Sequence, residues 1–270
     1  MKRLGFIVAV VLLCSGQTHN VPFNPRAVAA GGGPTCGAGG VIAEDFDGAA
    51  TSAANCGSGA GTSTDDIAWD SCPEASGGDI DLDATNLTGD MYTGEEARAS
   101  APTNSDSGEA RETVSQAELV GYVFVRVTAH GMTGSPDFHR IFVFHGGTWV
   151  CEVRTNFGAS VPTFELLAGA TTSVDTYAAT VGTDYIIEMH GLNSGVADEC
   201  DWRIWECGTS GNIADCPSTP TQTASAAPGN YTTTDIDGVW FGINQAQAPD
   251  NSTYDFGEIH VSTGSTWLCS

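Results

Sequence analysis

Short apolar stretches separated by clusters of Gly, Ser, Thr, Asn and Asp make up most of the chain from Val41 onward. Within a stretch the apolar residues either alternate with polar ones or run continuously, and no segment keeps a long helical period. Alternation is typical of a strand with one buried face, and a short continuous run fits a strand buried on both faces. The pattern predicts an all-β chain, folded as a sandwich or a barrel.

Nine stretches have the clearest strand pattern. They are residues 41–46, 119–130, 138–145, 148–155, 163–169, 184–192, 200–207, 237–244 and 254–262. The sequence "HGGT" (145–148) predicts a hairpin, because its Gly-Gly pair supplies the positive φ angles of a tight turn. Residues 50–115 are less regular, and we expect long loops with a few edge strands there.

The N-terminal segment has the pattern of a secretory signal peptide. Lys2 and Arg3 precede an apolar run from Leu4 to Leu13, which is shorter than the roughly 20 residues that span a membrane as a helix. We expect cleavage after Gly16 and secretion; a retained N-terminal anchor is the alternative.

Three segments follow from this organisation. Residues 1–16 are the predicted signal peptide, and residues 17–40, rich in Gly, Ala and Pro, are a predicted flexible tether. Residues 41–270 are predicted to form a single domain. After signal removal no membrane span is expected.

The cysteine count indicates disulfides. Nine cysteines fall to eight once the signal peptide is removed, and no C-x-x-C pair suggests zinc. Cys200 and Cys207 are too far apart along one strand to bond to each other. The predicted pairs are Cys207–Cys216, Cys56–Cys72, Cys36–Cys269 and Cys151–Cys200.

The chain is strongly acidic, with a formal net charge of -24 and no lysine after Lys2. Such a surface repels nucleic acid and anionic membranes, and it disfavours polyanionic glycans unless cations bridge the contact. Simple solvation by the acidic groups explains the charge without a specific site.

Three stretches resemble concanavalin A-like lectin/glucanase domains, including laminin G-like modules. They are "AEDFDG" (43–48), "DYIIEMHGLNSGVADECDWRIWECG" (184–208) and "TYDFGEIHVST" (253–263), within a resemblance that covers residues 41–265. The resemblance implies a jelly-roll sandwich of two curved antiparallel sheets. It also implies carbohydrate binding on the concave face or at the rim loops.

Alternation along the strands separates an apolar face from a mixed face. The mixed face suits sugars, because aromatic rings pack on the C–H face of a pyranose while charged and amide groups bond its hydroxyls. The ligand-binding candidates are Trp205, Trp240, Tyr122, Arg126, His190, Glu188, Arg203 and Asn244. Trp202 is predicted to lie in the core. For Trp205 and Trp240 packing is an equal alternative, and Arg203 with Glu188 also fits a structural ion pair.

Catalytic patterns are missing. No E-x-D-x-E run occurs, and Glu109 with Glu112, like Glu199 with Glu206, has the wrong parity for a carboxylate pair. Of the motifs of alginate-lyase relatives, the chain offers only His260. We therefore identify no catalytic residue, although a divergent enzyme stays an alternative.

Calcium is the one metal that the sequence suggests. Asp79, Asp81 and Asp83 alternate in "DIDLDATN", but the run lacks the glycine and the final glutamate of an EF-hand. Solvated acids are the alternative. Sequons for N-glycosylation occur at Asn86, Asn230 and Asn251.

The sequence thus predicts a secreted, disulfide-bonded, lectin-like module that binds glycan or polysaccharide. The first alternative is a structural or adhesive protein of a cell surface or virion, in which the sandwich serves as a scaffold. The second is a divergent polysaccharide hydrolase or lyase.

Overall fold

The predicted strands form throughout the part of the chain that the computed structural model describes. That part comprises residues 33–44, 46, 69–75, 79–85, 95–101, 107–131, 138–157, 161–169, 172–195, 198–226, 235–244 and 251–270. The strands in it are β1 (Ile42–Glu44), β2 (Glu74–Ala75), β3 (Asp79–Thr85), β4 (Glu95–Ala101), β5 (Ser107–Gln116), β6 (Glu118–Ala129), β7 (Phe138–Gly146), β8 (Thr148–Phe157), β9 (Pro162–Ala168), β10 (Thr172–Ala178), β11 (Asp184–Leu192), β12 (Glu199–Gly208), β13 (Gln222–Ser225), β14 (Ile236–Asn244) and β15 (Ser252–Thr263). A single 3-10 turn, Ile213–Asp215, lies between β12 and β13.

The strands form two antiparallel sheets that pack face to face. The eight-stranded sheet has the order β13-β12-β11-β6-β15-β4-β3, with β1 also paired to β15. The seven-stranded sheet has the order β10-β9-β8-β7-β14-β5-β2. The all-β prediction and the two-sheet antiparallel sandwich are confirmed.

All nine sequence-predicted strands are present, but residues 50–115 contain more sheet than expected. Strands β4 and β5 lie inside their sheets, and only β2 and β3 are at the edges. Their core-facing residues are fully buried alanines, including Ala97, Ala99 and Ala110. Small residues alternating with Ser, Gly and charged residues give a weak hydrophobic signal, so these strands were not predicted.

The space between the sheets is filled by the side chains that alternation assigns to the apolar faces. The predicted inner residues that lie in this core are Val123, Val125, Val127, Tyr185, Ile187, Met189, Trp202, Ile204, Val239, Phe241 and Ile243. Trp202 is therefore a core residue, as predicted, and its indole N–H donates to the carboxylate of Asp175 at 3.2 Å. Because side chains alternate along β12, Arg203 and Trp205 point to the opposite, outer face of the sheet.

A row of alternating charges crosses the outer face of the eight-stranded sheet. Asp184, Arg126, Asp255 and Arg98 stand directly opposite one another on β11, β6, β15 and β4. Arg126 binds both carboxylate oxygens of Asp184 at 2.7 and 2.8 Å, and Arg98 binds those of Asp255 at 2.6 and 3.0 Å. Because a one-residue slip would turn these groups into the core, the row opposes register shifts.

The two ends of the described chain lie side by side. The backbones of Thr35 and Ser270 exchange two hydrogen bonds, at 2.9 and 3.0 Å, and the Gly37 N–H donates to the Leu268 carbonyl at 2.9 Å. The Gly39 N–H also donates to His260 Nδ1, at 3.2 Å. Residues 33–40 therefore belong to the fold rather than to the tether predicted for residues 17–40.

Three disulfides join described residues, and all three were predicted. They are Cys36–Cys269, Cys151–Cys200 and Cys207–Cys216. Cys72 is also disulfide-bonded, while its predicted partner Cys56 lies outside the described residues.

Within the described part, no helix is long and apolar enough to cross a membrane. The predicted signal peptide, residues 1–16, lies outside the described residues, as do Asn86 and Asn230. Asn251 is exposed at the start of β15.

We predict that removing the disulfide between the chain ends destabilises the protein more than removing the local one. The Cys36–Cys269 bond closes a separation of 233 residues and Cys207–Cys216 one of 9. The loss of chain entropy in the unfolded state then predicts costs of about 5 and about 3 kcal/mol for the respective Cys→Ser double variants. Urea unfolding of both variants measures the difference, and equal losses would contradict this account.

Candidate functional site

The eight sugar-binding candidates lie on the outer faces of two different sheets. Six of them are on the eight-stranded sheet: Tyr122, Arg126, Glu188, His190, Arg203 and Trp205. Trp240 and Asn244 are on β14 of the seven-stranded sheet. Trp205 and Trp240 therefore lie on different sheets and do not share a groove.

The outer face of the eight-stranded sheet is covered by other parts of the chain. Trp205 is 1% exposed and belongs to a second hydrophobic cluster on this face. The other members of the cluster are Tyr122, Phe124, Ile186, Cys207, Cys216 and Cys269, with Cys36, Ile213 and Leu268 packed against them. Trp205 thus packs within the protein, and its indole offers no open surface to a sugar.

Glu188 anchors the C-terminal segment to this face. One oxygen of its buried carboxylate accepts the backbone N–H groups of Leu268 and Cys269, the latter at 3.0 Å. Burial raises the pKa of Glu188 to about 7, because the charged form loses its hydration. Arg203, opposite Glu188 in register, lies under the ring of Trp267, with its guanidinium carbon 4.1 Å from the ring centre.

His190 lies between two carboxylates at one end of the same face. Its Nδ1 is 3.2 Å from Asp201 and its Nε2 is 3.1 Å from Glu118. Burial alone would lower the pKa of His190, but the two hydrogen-bonded carboxylates outweigh it and raise that pKa. Glu188, Arg203 and His190 are thus all engaged with other groups of the protein.

The outer face of the seven-stranded sheet carries a polar network over five strands. We use the name polar network for Glu109, Arg111, Asn244, Arg140, Glu152, Arg154, Asn156 and Glu165, which lie on β5, β14, β7, β8 and β9. These residues connect through ion pairs and amide hydrogen bonds, so the network runs across most of the sheet.

Arg140 and Asn244 form the centre of the polar network. Arg140 donates from Nε to Glu152 at 2.6 Å and from Nη1 to the Asn244 side-chain oxygen at 3.3 Å. The Asn244 amide nitrogen donates to Glu109 at 2.7 Å. Glu109 also accepts Nε–H of Arg111 at 2.9 Å. Hydrogen bonds thus link Arg111, Glu109, Asn244, Arg140 and Glu152 in one continuous chain.

Arg154 organises the other end of the network. It donates to Glu165 at 2.8 Å and lies 3.9 Å from Glu152. Arg140 and Arg154 also stack on the ring of Phe138, at 4.8 and 4.6 Å from its centre. These two cation–π contacts restrict the positions of both guanidinium groups.

Two glutamates of the network have raised pKa values. Burial raises the pKa of Glu109 and of Glu152 despite the arginines beside them. Glu152 is fully buried, and its Oε1 has no hydrogen-bond partner among the described residues. A carboxyl group in this state holds its proton closer to neutral pH than an exposed glutamate does.

Trp240 is enclosed by its neighbours on the two flanking strands. His145 on β7 stacks on the indole at 4.4 Å with an interplanar angle of 14°, and the Arg111 guanidinium on β5 lies 4.2 Å from its centre. Since β14 runs between β7 and β5, both ring faces are in contact with protein. The packing alternative for Trp240 agrees with this arrangement better than an open platform does.

Sequence reasoning found Asn244 but missed most of the polar network. Arg140 shares sequence parity with Phe142 and Phe144, which face the core. A bulge between Arg140 and Phe142 leaves Ile141 unpaired and turns Arg140 outward. Only the sheet register reveals this change of face, because a bulge arises from the pairing between strands.

The predicted calcium ligands Asp79, Asp81 and Asp83 all lie in β3. The pairing of β3 with β4 shifts between Asp81 and Ala84, so regular alternation does not hold along the whole run. Calcium binding there stays a prediction.

We predict that Glu188→Gln raises the stability of the protein at pH 8. Since the pKa of Glu188 is about 7 when folded and 4.5 in its ordinary state, the folded protein holds the proton more tightly. The contribution of Glu188 to the free energy of unfolding is therefore greatest below pH 4.5, decreases as the pH rises, and is lost above pH 7. Glutamine can accept the same two N–H groups without carrying a charge. The variant should therefore lack the pH-dependent loss of unfolding free energy that Glu188 causes in the wild type, which is on the order of 3 kcal/mol.

Urea unfolding at pH 5 and pH 8 measures the effect of Glu188→Gln. The variant should be more stable than the wild type at pH 8 and should differ little from it at pH 5. Lower stability than wild type at pH 8 would contradict the assignment of Glu188 as a desolvated carboxylate.

Comparisons with known proteins reveal similarity in structure only. No model of a protein family matches the chain, and no curated protein is significantly similar to it. Among solved structures it is similar to SO2946, a protein of unknown function from Shewanella oneidensis MR-1 (14% identity, 70% of this chain and 76% of that one, TM-score 0.43). It is also similar to the polysaccharide lyase family 7 alginate lyase AlgAT5 (10%, 64% and 80%, 0.43) and to a legume lectin-like domain from Entamoeba histolytica (8%, 63% and 84%, 0.37).

Proposed function

We propose that the protein binds a glycan through the outer face of the seven-stranded sheet. The contact surface consists of the partly exposed members of the polar network, Arg111, Arg154, Asn156 and Asn244, which the buried members of the network hold in place. One observation carries the proposal: three arginines, three glutamates and two asparagines are held in fixed positions on one sheet face. The site thus differs from the face that the sequence favoured, and of the eight predicted ligands it retains Asn244.

The chemistry of the network matches that of a sugar. Each sugar hydroxyl is both a donor and an acceptor, and the network offers planar guanidinium, carboxylate and amide groups side by side. Because ion pairs such as Arg140 with Glu152 already fix these side chains, binding orders few additional rotamers.

The charges favour a neutral glycan. Arg111, Arg140 and Arg154 are balanced within the network by Glu109, Glu152 and Glu165, and the whole chain carries -24. A polyanion would gain little from the arginines and would meet the field of the remaining acids. The disulfides fit an extracellular protein, where such glycans occur and thiols are oxidised.

We predict that Arg111→Ala weakens glycan binding at least tenfold while Arg98→Ala leaves it unchanged. The two arginines are matched: their side chains are 35% and 37% exposed, and each pairs with a buried carboxylate, Glu109 or Asp255. They lie on the outer faces of opposite sheets. A glycan array on the wild type selects the sugar, and isothermal titration calorimetry then compares the three proteins.

The controls distinguish binding from folding. Equal loss in both variants, or equal retention, would overturn the assignment of the glycan to the seven-stranded sheet. If the wild-type protein binds no sugar on the array, the structural or adhesive role replaces glycan binding as the better hypothesis.

Cleavage of a polysaccharide is a second candidate function, favoured by the raised pKa values of Glu109 and Glu152. In glycoside hydrolysis a carboxyl group with a raised pKa protonates the leaving glycosidic oxygen, while another carboxylate acts as base or nucleophile.

We predict that, if cleavage occurs, Glu152→Gln abolishes it and Glu206→Gln does not. Glu206 is an exposed glutamate of β12 on the other sheet. Release of reducing ends, or absorbance of unsaturated products, from mixed polysaccharides measures the reaction. Absence of product with the wild type would leave binding without cleavage.

A further inference from the structure

Three side chains of the kinds that bind transition metals meet at one end of the β11–β12 hairpin. His190, Glu199 and Asp201 each offer one ligand atom, and these atoms lie within 4.8 Å of one another. The register explains the cluster: His190 stands opposite Asp201, Glu199 pairs with Leu192 two positions further along β11, and positions 199 and 201 share one face of β12. The cluster lies on the eight-stranded sheet, away from the polar network.

The imidazole of His190 is already oriented for such a role. Its Nε2 lies 3.1 Å from the Glu118 carboxylate on β6, and its Nδ1 lies 3.2 Å from Asp201. A carboxylate that accepts the proton of one ring nitrogen fixes the tautomer and leaves the other nitrogen for a metal. Glu118 would thus be the outer partner. The metal would replace the proton that Nδ1 shares with Asp201, and that proton would be released to the solvent.

Glu199 is the member of the cluster that a structural role does not explain. Its partly buried carboxylate makes no hydrogen bond or ion pair within the described part of the chain. It nevertheless lies beside the carboxylate of Asp201, where two like charges are unfavourable unless a cation joins them. If the cluster served only to pair His190 with Asp201 and Glu118, the position of Glu199 beside it would have no explanation.

We propose that His190, Glu199 and Asp201 bind a divalent transition metal of the Zn²⁺ class, through Nδ1 and two carboxylates. One imidazole with two carboxylates suits zinc, whereas calcium takes six to eight oxygen ligands. Three protein ligands leave a fourth position for water or for an oxygen of a bound molecule. This site is independent of the proposed glycan surface and of the aspartates of β3.

Metal titration of the intact protein tests the proposal. The protein is first treated with a chelator and then titrated with ZnCl₂ by isothermal titration calorimetry, which should give one Zn²⁺ per chain. About 150 mM NaCl and millimolar CaCl₂ in the buffer screen nonspecific binding of cations to the acidic surface. Glu199→Gln should lower the affinity at least tenfold without a change in folding, because its carboxylate makes no hydrogen bond or ion pair among the described residues. Glu118→Gln should lower it by roughly 10- to 100-fold through the orientation of His190.

A matched control and a second variant keep the test decisive. Glu258→Gln alters another His–carboxylate pair on the same sheet, in which Glu258 lies 3.5 Å from His260, and it should leave the affinity unchanged. Asp201→Asn should weaken binding as Glu199→Gln does, so the result does not depend on one variant. No saturable Zn²⁺ binding by the wild type, or equal affinity in wild type, Glu199→Gln and Asp201→Asn, would overturn the proposal.

Discussion

The register of β11, β6, β15 and β4 is the constraint on which the eight-stranded sheet depends. Asp184, Arg126, Asp255 and Arg98 stand opposite one another only in that register, and each arginine then binds a carboxylate with two nitrogens. A slip by one residue would bury four charges in the core and expose the apolar row. The positions of Trp202 in the core and of Glu188 under the C-terminal segment follow from the same pairing.

The two outer faces differ because the paired segments around Cys36 and Cys269 lie on the eight-stranded sheet. Backbone N–H groups of Leu268 and Cys269 satisfy Glu188, and the aromatic residues of that face gain a second hydrophobic cluster. On the seven-stranded sheet the outward groups instead satisfy one another through ion pairs, with Arg140 as the central donor. The partly exposed members of that network, such as Arg111 and Asn244, remain suited to exchange partners with a ligand.

Much of the fold was predictable from alternation, while the site was not. Strands with Val, Ile, Phe or Trp on their inner face, such as β6, β11 and β14, have a strong period-two signal. Strands whose inner face is alanine, such as β4, carry too little apolar area for that signal. Arg140, at the centre of the polar network, was missed because the bulge at Ile141 changes its face, and a bulge arises from pairing between strands rather than from local sequence.

The bond between Cys36 and Cys269 has a mechanical consequence. The two residues are 4.0 Å apart at their Cα atoms although 233 positions separate them in sequence. A pulling force applied at residues 33 and 270 would pass between these two residues across this covalent bond. The hydrogen bonds of both sheets would carry almost none of the load, so the domain would resist extension as a closed loop.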